Sequence, residues 1–205
     1  MSTRVLLIRH GDVEGLKPAR FRGRRDIPLS ALGERHVAAC AARIARDWRI
    51  TALYASPLQR CLKTAAFISQ ATQVEVQPLE GLLDLDYGDW TWRTHDEIER
   101  EQPDAWRLWH ETPDEMRFPG GESLADMAER ATGALRTVAD AAPDGCIAFV
   151  THDAVVRALV IQSLGISLRL YHRLTVAPAS ISELDLARGG PGLVRLSDTG
   201  HIDDH

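Results

Sequence analysis

The sequence predicts an α/β protein built on a largely parallel sheet covered by helices on both faces. Two observations carry this. Short apolar runs of strand length alternate with longer amphipathic stretches of helix length, the pattern of a parallel sheet whose crossovers are helical. Two of the amphipathic stretches also follow a strand-like run directly, at Ser56 and at His152.

The elements follow in order. Val5–Ile8 (VLLI) is a continuous apolar run, read as a buried strand. The next stretch is helical: Leu32, Val37, Cys40, Ala41 and Ile44 share one face, Ser30 is placed to cap it, and Gly33 is an early weak point. Ala52–Ala55 is a second strand. It leads into SPLQRCLKTAAFISQA, where Ser56 fits an N-cap and Pro57 the first helical position. VEVQ, residues 74–77, alternates like a third strand. The stretch from about Leu82 to Phe118 is polar and aromatic and holds Trp90, Trp92, Trp106 and Trp109, four of the five tryptophans. A further helix opens at Ser123, with Asp126 completing an S-x-x-D capping pair. CIAFVT is another buried strand, followed by a helix from His152 that Gly165 closes. ASISELDLA and GLVRLS read as late strands paired around RGGPG.

The length of 205 residues suits a single domain, 1–205, with an insertion at about 82–118. A net charge of −5 argues against nucleic acid and anionic membranes as partners. Cys40, Cys61 and Cys146 are odd in number, have no C-x-x-C spacing and sit among apolar residues, as reduced core thiols of a cytoplasmic protein do. Only four apolar residues separate Arg4 from Arg9, too few for a secretory signal, and no run approaches the roughly 18 residues of a membrane span. A homodimer is left open.

Ligands of open parallel sheets collect at the carboxyl ends of the strands. Those ends carry Arg9 and His10, Ser56 leading to Arg60 on a first helical turn, and Thr151 with His152. Two arginines and two histidines converging there suit a phosphate. A phosphomonoester carries nearly two negative charges near pH 7, which repel an anionic nucleophile but not a neutral imidazole. Flanking guanidinium groups favour that neutral form.

RHG near the start, SPLQRCLKTA, LLDLDYGDW, FPGGES and FVTHDAVVRAL together resemble the histidine phosphatase superfamily in its phosphoglycerate-mutase-like branch. The resemblance runs from Leu6 to about Leu164. It implies a three-layer αβα sandwich with a small helical cap insertion. It also implies a metal-independent phosphomonoester hydrolase that needs no cofactor and acts through a phosphohistidine on a small phosphorylated metabolite. His10 is then the nucleophile, Arg9 and Arg60 the phosphate clamp, and His152 a further donor to the phosphate. The family's proton donor is a Glu, and Asp84 occupies that position here, one methylene shorter. Asp153 competes for the role because His-Asp at the second histidine resembles the acid-phosphatase branch; Asp86 is a third candidate. Arg22 and Gly23 align with the family's substrate-facing pair.

Two departures are Leu16, where the family carries Asn, and Asp12, where Glu or Gln is common. A phosphoglycerate mutase and a weakly active phosphate-binding regulatory protein are alternatives on the same scaffold. The tryptophans suit either core packing or the wall of an aromatic pocket. His36, His95, His110 and His172 show no ligand-like spacing and read as surface or helix-packing residues, and HIDDH reads as a polar tail rather than a metal site.

Overall fold

The computed structural model describes residues 3–15, 18–187 and 189–202. Leu16 and the last residues of the HIDDH tail therefore lie outside the described residues. Six strands form one sheet in the order β3-β2-β4-β1-β5-β6: β1 Thr3–Arg9, β2 Ala52–Ala55, β3 Val76–Pro78, β4 Cys146–Thr151, β5 Ile181–Ala187 and β6 Gly190–Asp198. The first four are mutually parallel, β5 runs antiparallel to β1, and β6 runs antiparallel to β5. The sheet is thus mixed, with the late hairpin added to one edge of a parallel core.

Strand alternation divides the core. Val5 and Leu7 of β1, with Ile147 and Phe149 of β4, face helices α5 (Leu124–Ala141) and α6 (Asp153–Ser163). Leu6, Ile8, Ala148 and Val150 face α1 (Ala31–Asp47) and α2 (Gln59–Thr72). Val5 to Ile8 have no exposed surface, which is why this run is apolar at every position rather than at every second one. Each such side chain contributes about 1.5–3 kcal/mol on burial.

Local chemistry sets the helix starts. Ser30 accepts from Gly33 N at 3.0 Å and caps α1. Ser123 and Asp126 form a reciprocal capping box at α5. Leu32 lies outside the buried stripe of α1 and is exposed. Gly33 is required by close packing: a Cβ there would lie 2.1 Å from the Asp12 carbonyl oxygen. The third strand lies two residues later than VEVQ suggests.

Residues 80–115 form three 3-10 turns and two short helices, α3 His95–Glu101 and α4 Pro103–Glu111. Trp90 is fully buried there and donates its Nε1–H to Gln102 at 2.9 Å. Trp109, Phe118 and Ile98 join it in the same core as α5 and α6. This segment rests on the sheet's carboxyl end rather than standing apart from the body.

Candidate active site

Parallel register assembles the site. Arg9 of β1 pairs with Thr151 of β4, so His10 and His152 emerge side by side. The His10 N–H donates to the Thr151 carbonyl at 2.9 Å, and the two imidazole centroids are 5.2 Å apart. Ala55 of β2 pairs with Val150, which brings Ser56 to the same edge. Arg60 comes from the first turn of α2 and Asp84 from the loop between two 3-10 turns.

His10 is buried, and its Nδ1 lies 2.7 Å from the Gly11 carbonyl oxygen. A carbonyl only accepts, so Nδ1 carries the proton and Nε2 keeps a lone pair. Burial, then Arg60 and Arg9, hold His10 well below the usual imidazole range. It is a neutral imidazole with one fixed tautomer.

Arg60 is almost entirely buried and acts as a hub. Its Nε donates to His152 Nδ1 at 3.2 Å, Nη1 to the Arg25 carbonyl at 2.8 Å, and Nη2 to the Gly23 carbonyl at 2.7 Å and Asp84 Oδ2 at 3.1 Å. Most of its five N–H donors are thereby engaged inside the protein. Because His152 Nδ1 accepts, its proton sits on Nε2, which donates to Ser56 Oγ at 2.9 Å. This corrects the expected cap: α2 starts at Gln59 after Leu58, and the Ser56 hydroxyl is spent on His152 instead. Burial also holds His152 well below the usual imidazole range, with Arg60 adding to the effect.

The two candidate acids occupy different surroundings. Asp84 Oδ2 lies 3.6 Å from His152 Nδ1, and burial pushes its carboxyl up to about 6 against the opposing pull of Arg60. Asp153 instead sits under a two-point ion pair, with Arg157 Nε to Oδ1 at 2.8 Å and Nη2 to Oδ2 at 2.7 Å. Asp86 bonds the Gly88 N–H at 3.0 Å and lies 3.5 Å from Arg24.

Arg9 donates through Nη1 to the Val176 carbonyl, while its buried Nε has no hydrogen-bond partner. A buried donor without a partner is costly, and this one lies beside His10 in a cavity. Arg22 lines that cavity, and Gly23, at φ +50°, turns its carbonyl to Arg60. Asp12 accepts from the Ser30 hydroxyl at 3.2 Å and orients its own loop.

Two residues that the sequence reading missed fix the backbone around Asp84. Arg130 of α5 donates to the carbonyls of Gly81 at 2.9 Å and Leu83 at 3.0 Å, and to Glu122 through Nε and Nη2. Glu122, inside the quoted FPGGES, also accepts from Arg24 at 2.7 Å and from the Asp86 N–H at 3.2 Å. The motif marks Glu122; nothing local marks Arg130, which acts across 46 or more residues.

The cavity over His10 has a volume of about 280 Å³. Arg9, His10, Arg60, Asp84, His152, Arg22, Gly23 and Asp153 all line it. His95, His110 and His172 line it too, in addition to the surface and helix-packing places expected of them: His110 is exposed and bonds the Trp106 carbonyl of its own helix. The fold brings α3, α4 and the turn Leu168–Arg173 together only in three dimensions, so no local spacing reveals the group. Among the described residues no cluster of His, Cys, Asp and Glu is arranged to hold a metal ion, and no helix is long and apolar enough to cross a membrane.

Residues 5–199 match the family model of the histidine phosphatase superfamily (branch 1). The chain is 32% identical over 206 residues to a probable phosphoglycerate mutase, GpmB, of Cronobacter sakazakii, covering 97% of this chain and 94% of that one. It is 28% identical to phosphoserine phosphatase 1 of Hydrogenobacter thermophilus, covering 97% and 94%. Among solved structures, Bacillus stearothermophilus YhfR superposes with a TM-score of 0.91 at 25% identity, covering 98% of this chain and all of that one. With its αβα layers and its matched length, the chain belongs to the histidine phosphatase superfamily.

Proposed function

We propose that the protein hydrolyses a small phosphomonoester by transferring the phosphoryl group to Nε2 of His10. The observation that carries this is the bond from His10 Nδ1 to the Gly11 carbonyl. It fixes the tautomer that leaves Nε2 nucleophilic, in a ring kept neutral by burial and two guanidinium groups. The unpartnered Arg9 Nε, the Arg22 side chain and the backbone N–H groups opening α6 receive the phosphate oxygens. Each Arg–phosphate pair at about 4 Å contributes roughly 4 kcal/mol at an effective dielectric near 20, before desolvation.

In the first step the Nε2 lone pair forms a bond to phosphorus as the ester P–O bond breaks. The leaving oxygen takes the Asp84 proton. At pH 7 a carboxyl titrating near 6 is protonated about one time in ten, against roughly one in a thousand for an ordinary Asp. In the second step the Asp84 carboxylate takes a proton from water, whose oxygen attacks phosphorus and breaks the P–N bond. Inorganic phosphate leaves, and neutral His10 and protonated Asp84 return. With Nδ1 accepting from Arg60 and Nε2 donating to Ser56, both His152 nitrogens are engaged, so His152 serves the phosphate site by orienting Arg60 rather than as the direct donor expected of it. The ion pair with Arg157 supports Asp84 over Asp153 as the proton donor.

Release of phosphate from an aryl phosphate, lost in His10→Ala, tests this reading. The mutase reading is tested with 3-phosphoglycerate: an isomer in place of free phosphate would support it.

A further inference from the structure

An arc of rings closes the mouth of the cavity, each in contact with the next. Phe21 and His95 have centroids 4.6 Å apart, His95 and Trp106 5.5 Å, Trp106 and His110 4.0 Å, and His110 and His172 5.2 Å. His172 then meets Trp109 edge-on at 4.6 Å. The His110 and His172 rings are nearly parallel, at 8°.

Hydrogen bonds fix what two of these imidazoles offer. His110 Nδ1 lies 2.9 Å from the Trp106 carbonyl, and His172 Nε2 lies 2.8 Å from the Trp109 carbonyl. Both nitrogens must donate, which leaves Nε2 of His110 and Nδ1 of His172 as the ring nitrogens that these carbonyls do not occupy. Burial pulls His172 and His95 below the usual imidazole range. The arc therefore presents the Nδ1 lone pair of His172 as a hydrogen-bond acceptor beside the other rings. Of the carboxylates lining the cavity, Asp153 is bound to Arg157 and Asp84 to Arg60.

We propose that His95, His110, His172 and Trp109 form the leaving-group subsite, and that it selects a phosphorylated polyol, such as a sugar monophosphate, over a phosphorylated carboxylic acid of similar size. A hydroxyl donates to an imidazole lone pair; a carboxylate has no proton to give and sets lone pair against lone pair. The cavity volume of about 280 Å³ is at the small end for ligand sites and suits a metabolite. The proposal rests on the phosphatase reading above.

The test is steady-state kinetics with a hexose 6-phosphate, phosphoserine, 3-phosphoglycerate and p-nitrophenyl phosphate. The expected result is a kcat/KM for the hexose phosphate at least tenfold above those for both phosphocarboxylates. In His110→Phe and His172→Phe, which keep a ring but lose the nitrogens, the ratio of hexose phosphate to p-nitrophenyl phosphate falls about three- to tenfold, the size of one lost hydrogen bond, and the change is in KM. An equal or greater preference for the phosphocarboxylates in the wild type overturns the proposal, as does an unchanged ratio in the variants. Should a variant not fold, the wild-type preference alone decides. Turnover of p-nitrophenyl phosphate without the polyol preference removes the subsite while leaving the phosphatase reading intact. No turnover of any ester removes both.

Discussion

Replacing Asp84 with Asn separates the proton donor from the rest of the machinery. The change is nearly isosteric but removes the proton that an alkoxide leaving group needs, a contribution worth about 10²- to 10⁴-fold. A nitrophenolate leaves with little help, so the first step on p-nitrophenyl phosphate suffers far less. The second step still lacks its base, and the phosphoenzyme should accumulate. Stopped-flow measurement is therefore expected to show a burst of nitrophenol stoichiometric with Asp84→Asn enzyme, followed by slow turnover. In the wild type, kcat/KM for an alkyl phosphate should fall about tenfold per pH unit above about 6, where Asp84 titrates. The same shift predicts stability. Asp84 titrates about two units above its unfolded value near 3.9, so the folded state holds a proton between about pH 4 and 6 that the unfolded chain has released. Its contribution is complete below pH 4 and is lost as pH rises through 6, by up to about 3 kcal/mol. His10 and His152, depressed in the fold, act in the opposite sense, stabilising above about pH 6.5 and losing that contribution as pH falls. The difference between wild type and Asp84→Asn in urea unfolding across pH 4–8 isolates the carboxyl. Equal rate losses on alkyl and aryl esters, with no burst, would refute the assignment of Asp84.

Other outcomes follow from the same contacts. Arg130→Met releases the carbonyls of Gly81 and Leu83 and leaves Glu122 with Arg24; kcat should drop about tenfold or more with KM little changed, and urea unfolding should show a loss of about 3 kcal/mol. A loss of stability without a shift of the Asp84 inflection in the pH–rate profile would reduce Arg130 to a fold-stabilising role. Ser56→Ala strands the buried His152 Nε2–H and should cost about 1–3 kcal/mol in chemical denaturation. Gly33→Ala drives a methyl against the Asp12 carbonyl and should lower thermal stability by about 1–3 kcal/mol; an unchanged Tm would mean that the β1–α1 loop does not sit on the helix as described.

The parallel core was legible because its strands are apolar at every position and its helices carry their caps, as Ser30 and Ser123 do. Strand-end logic also brought His10, Arg60 and His152 together before any coordinates, since parallel register must align them. What escaped depends on distance along the chain. Ser56 has the residue type and place of a cap, and only the approach of β4 reveals that His152 takes its hydroxyl. Arg130 acts on a loop 46 or more residues away. The histidine arc joins α3, α4 and the turn Leu168–Arg173, and its rings have no periodicity in common. The sequence favoured Asp84 over Asp153 through the family resemblance alone; burial around the one and Arg157 beside the other, both products of the fold, support the same order.

The central claim is that the phosphoryl group passes through Nε2 of His10. Rapid-quench trapping during turnover of a phosphoester, with the adduct located by mass spectrometry and its nitrogen identified by phosphorus NMR, tests it most directly. The account predicts an acid-labile, base-stable phosphate on Nε2 of His10 that is absent from His10→Ala. Steady turnover with no trapped adduct in the Asp84→Asn enzyme, or an adduct that persists in His10→Ala, would contradict it.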